Sequence, residues 1–62
     1  MHESRRDQAT RHVVRGREIV DRQRILIARL RLRSRDADAA EDLLACFERS
    51  LAIFEDDLAR LV

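Results

Sequence analysis

In the second half of the chain, Ala37, Ala40, Leu44, Phe47, Leu51, Phe54, Leu58 and Leu61 recur at alternating spacings of three and four. That period draws one apolar stripe along an α-helix and matches the a and d seam of a coiled coil. A thinner version runs through the first half in Val13, Gly16, Val20, Gln23, Ile27 and Leu30. The chain has one glycine, no proline and abundant Ala, Leu, Arg and Glu, so the pattern predicts an all-α protein. It divides residues 1–62 into a helix over about 5–33, a turn at 34–38 and a helix over about 39–61, all in one domain.

No glycine or proline marks the turn, so its place is read from capping and charge. Asp38 followed by Glu41 has the form of a capping box, which starts a helix by giving its orphan amides acceptors. Asp36, Asp38, Glu41 and Asp42 lie near that start, and arginines between Arg29 and Arg35 close the preceding helix. Both placements suit the helix dipole.

An antiparallel pair of helices has facing positions whose numbers add to a constant. The layers Leu30/Leu44, Ile27/Phe47, Gln23/Leu51, Val20/Phe54, Gly16/Leu58 and Val13/Leu61 all add to 74. Beside this seam, Arg17, Arg24 and Arg31 stand opposite Glu55, Glu48 and Glu41, each pair adding to 72. Three opposite charges in one register predict a chain that turns back on itself. The other flank carries Ile19, Leu26, Leu43, Cys46 and Ile53, an apolar strip with no ionic cover. An open strip of this kind predicts a partner chain. The expected architecture is therefore an antiparallel two-helix coiled-coil hairpin that dimerises into a four-helix bundle.

Charge sharpens this picture. Residues 1–35 hold eleven arginines against Glu3, Asp7, Glu18 and Asp21, while residues 36–62 hold eight carboxylates against Arg49 and Arg60. The halves nearly cancel, leaving a net charge of +1, so two mutually attracting segments are expected and a polycation is not. Sixty-two residues approach the size at which a lone core becomes marginal. With Gly16 and Gln23 occupying two of the six layers, assembly is expected to be part of folding. The lone Cys46 excludes an internal disulfide and fits a reducing, cytoplasmic setting. No apolar run approaches a membrane span, and the opening MHESRRDQATR has no signal-peptide core.

Candidate chemistry is sparse. His2 and His12 are ten positions apart and do not share the i, i+4 spacing of a helical metal pair. Cys46 has no histidine at helical spacing and reads as a small residue at the core edge. Asp56 and Asp57, being adjacent, diverge on a helix. No phosphate loop or nucleophile motif occurs, so neither an enzyme nor a cofactor or metal is expected. Gln23, polar at a seam position, is either a tolerated long side chain or a device fixing register. Gly16 makes room for Phe54 or Leu58 opposite. Arg11, Arg15, Arg22, Arg29 and Arg33 form a second arginine row that would suit phosphates. The near-neutral balance and lack of stacking aromatics make a solvated face the stronger reading. Val14, Ile25 and Leu32 lie off the seam, as isolated exposed residues or a second contact for another protein.

The positions His12, Val13, Gly16, Val20, Gln23, Arg24, Ile27, Leu30, Leu43, Leu44, Phe47 and Glu48 carry a resemblance. They follow the order HVxxGxxxVxxQRxxIxxL…LLxxFE, and over about fifty residues the chain resembles a set of short, uncharacterised alphaproteobacterial proteins. The resemblance implies a helical hairpin and a bacterial source, and implies no activity. Together these readings predict a small protein-interaction or oligomerisation module acting as a homodimer. The rival is a nucleic-acid-associated regulator using the arginine-rich first helix.

Overall fold

A computed structural model describes residues 3–61 and contains two helices, α1 over Arg5–Leu32 and α2 over Asp38–Arg60. They pack side by side as an antiparallel hairpin measuring 48 × 20 × 13 Å. Among the described residues there is no strand. The helix α1 starts at Ser4, whose Oγ accepts the Asp7 amide at 3.1 Å. Ser4 thus satisfies one of the amides that the first turn leaves without a partner.

The reversal is built by the end of α1 and closed by Asp36. The Arg35 amide donates to the Leu30 carbonyl at 2.8 Å and the Ser34 amide to the Arg31 carbonyl at 3.0 Å. This is the paired pattern of a Schellman cap, with Ser34 at the left-handed position (φ 53°) where glycine is usual. With serine in place of glycine, spacing alone does not reveal this cap. The expected Asp38–Glu41 capping box does not form. Asp38 is already the first helical residue, and Ala37 occupies the cap without a side-chain hydrogen bond. Asp36 Oδ1 instead accepts the Asp38 amide at 2.9 Å. Glu41 turns its carboxylate across to Arg31, where a guanidinium replaces the backbone amide as its partner.

The seam is deepest on α1, where Ala9, Val13, Val20, Gln23 and Ile27 are buried. Leu44, Phe47, Leu51, Phe54 and Leu58 of α2 are only half-buried. Ala37 folds back beneath the turn and is buried as well. Ala9 extends the Val13 stripe by one turn, a position that alanine marks only weakly in the sequence. Leu61, expected opposite Val13, is 41% exposed at the open end.

The layers differ from the expected register by one heptad. A Cβ on Gly16 would lie 3.7 Å from Leu51 Cβ and 3.7 Å from Phe54 Cδ2. Gly16 therefore faces Leu51, not Leu58, and the facing positions add to 67 instead of 74. Gln23, expected against Leu51, sits near the start of α2, where its Nε2 donates to the Ala40 carbonyl at 2.8 Å. At the turn end this register buries Ala37 and lets Gln23 reach the Ala40 carbonyl. A seam that repeats every seven residues looks the same after a shift of seven.

Candidate assembly surface

On one flank of the seam three ion pairs join the helices. Arg17 Nη2 lies 3.2 Å from Glu55 Oε2, Arg24 Nη2 lies 3.2 Å from Glu48 Oε2, and Arg31 pairs with Glu41. These are the partners whose positions add to 72. They coexist with layers adding to 67 because helical side chains lean toward their own N-terminus. Arg17 leans back toward the Val13 layer, and Glu55 follows Phe54, which belongs to that layer. Every arginine and glutamate in this row keeps substantial solvent contact. The pairs therefore select a register more than they stabilise it.

The opposite flank has no such cover. Leu26, Leu43 and Ile53 are 44%, 46% and 57% exposed, Cys46 is exposed, and Ile19 is half-buried. Toward the open end this flank becomes polar, with Arg5, Gln8, His12, Asp57 and Arg60 around a shallow groove. His12 rests its ring against Phe54, with centroids 5.2 Å apart, and so caps the seam where the aliphatic strip stops.

The second arginine row divides. Arg11 pairs with Glu3 at 2.8 Å and Arg15 with Glu18 at 3.6 Å. Arg22, Arg29 and Arg33 have no carboxylate within reach among the described residues. Val14, Ile25 and Leu32 stand on the outer side of α1 at 49%, 53% and 86% exposure, clear of the hairpin seam.

Elsewhere the side chains engage locally. Asp56 accepts from Arg60 at 2.8 Å, one turn away. Among the described residues no three His, Cys, Asp or Glu side chains converge as metal ligands; His2 lies outside them. No described helix is long and apolar enough to cross a membrane. The chain matches no family model, no curated protein and no solved structure.

Proposed function

We propose that this chain is an assembly module, a helical hairpin completed by a second copy of itself through Ile19, Leu26, Leu43, Cys46 and Ile53. The observation that carries the reading is surface area. The hairpin exposes 5226 Å² at a mass of 7.3 kDa. A compact folded monomer of that mass exposes about 4,200 Å². The excess, roughly 1,000 Å², is close to the ~800 Å² that each partner buries in a specific interface. The buried apolar residues are Ala9, Val13, Val20, Ile27 and Ala37 among those described, a small interior to set against the cost of ordering the chain. Two hairpins closing their strips against each other form a four-helix bundle with an enclosed core.

Folding is then coupled to association, and the melting temperature rises with protein concentration. Sedimentation together with thermal melts from micromolar to millimolar concentration tests this. A folded monomer at micromolar concentration, with a melt independent of concentration, would overturn the reading.

The second reading, a nucleic-acid-associated regulator, is supported by Arg22, Arg29 and Arg33 having no ionic partner among the described residues. Phosphate-driven binding weakens steeply with salt. Titration with generic duplex DNA at about 50 and 200 mM salt separates it from the assembly module, for which no binding is expected at either.

A further inference from the structure

The apolar strip is bordered by charges of opposite sign on its two sides. The helix α1 carries nine arginines against Asp7, Glu18 and Asp21, and α2 carries seven carboxylates against Arg49 and Arg60. The hairpin is thus polarised across its width, basic on one helix and acidic on the other. Along the strip, Arg15, Arg22 and Arg29 border the α1 side at heptad spacing, and Asp42, Arg49 and Asp56 border the α2 side.

Two twofold axes can bring the strips of two copies face to face. An axis across the hairpin stacks α1 on the partner's α1, with the turns at opposite ends. The Arg15–Arg22–Arg29 row then meets its own copy, and like charges repel. An axis along the hairpin stacks α1 on the partner's α2, with both turns at one end. The arginine row then meets Asp42 and Asp56, with Arg49 the single like charge. The arginine stems also lie over Cys46 and Ile53, which suits their amphipathic character.

From this asymmetry we infer that the partner is a second copy related by the axis along the hairpin, with each basic helix packed on the acidic helix of the other chain. The inference rests on the self-assembly reading above and adds the arrangement to it. An axis parallel to the helices allows no sliding, so residues at one height within a hairpin also meet between hairpins. Gly16 faces Leu51, and Ile27 and Leu44 line one groove, which puts Leu26 and Leu43 at the same height. Leu26 of one copy therefore meets Leu43 of the other. The two Cys46 residues occupy diagonal helices, about 14 Å apart for helices packed at ~10 Å. A disulfide needs Cα atoms within about 7 Å.

The test uses copper-catalysed air oxidation. The native chain should give no disulfide-linked dimer. A Leu26→Cys chain mixed with a Leu43→Cys chain, both carrying Cys46→Ala, should link across subunits, whereas each variant alone should not. Arg29→Asp should weaken dimerisation by up to about fivefold per pair, and adding Asp42→Arg should restore it. A native dimer linked through Cys46 would place the axis across the hairpin and overturn the inference. Failure of the mixed chains to link overturns it too. Sedimentation then tells which idea has failed: a dimer spares the self-assembly reading, and a monomer removes both.

Discussion

The two flanks of the hairpin present opposite solutions to the same exposed seam. One is crossed by Arg17–Glu55, Arg24–Glu48 and Arg31–Glu41. The other offers Leu26, Leu43, Cys46 and Ile53 to the surroundings. Ion pairs in water carry directional information with little energy, since desolvation and side-chain entropy offset most of the attraction. Apolar area carries energy with little direction. The charged flank thus specifies how the chain meets itself. The aliphatic flank leaves apolar area in water, which is the ground for the proposed self-assembly.

The largest expected effect comes from charging the apolar flank. Leu26→Asp or Ile53→Asp should abolish the dimer and unfold the chain at micromolar concentration, seen as lost helical circular dichroism. A stable helical monomer in either variant would mean that the two flanks do not differ in this way.

Filling the seam itself should cost less. Gly16→Leu presses a branched side chain into space already held by Leu51, whose Cδ1 would be only 3.1 Å from the new Cβ. A loss of about 1–3 kcal/mol is expected from chemical denaturation. An unchanged midpoint would show that the seam is too loose to define a register.

Ser34→Gly should act in the other direction. It relieves a left-handed residue (φ 53°) at the Schellman position and touches neither flank. A gain of about 1 kcal/mol is expected, measured by thermal melting. The midpoint should rise at every protein concentration, because the change acts at the turn and leaves both flanks intact.

Changes on the charged flank should be smaller still. Arg24→Glu alone should cost roughly 0.2–1 kcal/mol, while Arg24→Glu with Glu48→Arg should return most of it. A double exchange as damaging as the single one would break the assignment of this flank to register. Smallest of all, Ile25→Ser with Leu32→Ser should leave melting temperature and sedimentation unchanged, because neither residue lies on the flank proposed to close the dimer. A loss of dimer in that variant would move the homomeric contact to the outer side of α1.

Much of this molecule follows from spacing alone. The three-and-four alternation on both halves determines two amphipathic helices, because 3.6 residues per turn brings those positions onto one face. The opposite charges of the halves, with arginines and glutamates beside the stripes, determine that the helices run antiparallel with those particular partners. Spacing also separates Leu26, Leu43 and Ile53 from the seam, since they lie one step outside it on the same side.

Only the tertiary structure decided how the stripes interlock. The heptad makes a pairing of Gly16 with Leu58 indistinguishable from one with Leu51, and the lean of helical side chains gives flanking ion pairs a different offset from the layers they flank. The folded chain settles it by setting Gly16 against Leu51, with Leu32 and Asp38 as the helix ends. It also buries Ala37, turns Glu41 from a cap into an ion-pair partner, and sets Gln23 beneath the Ala40 carbonyl. A periodic sequence leaves such choices equal until its helices pack against each other.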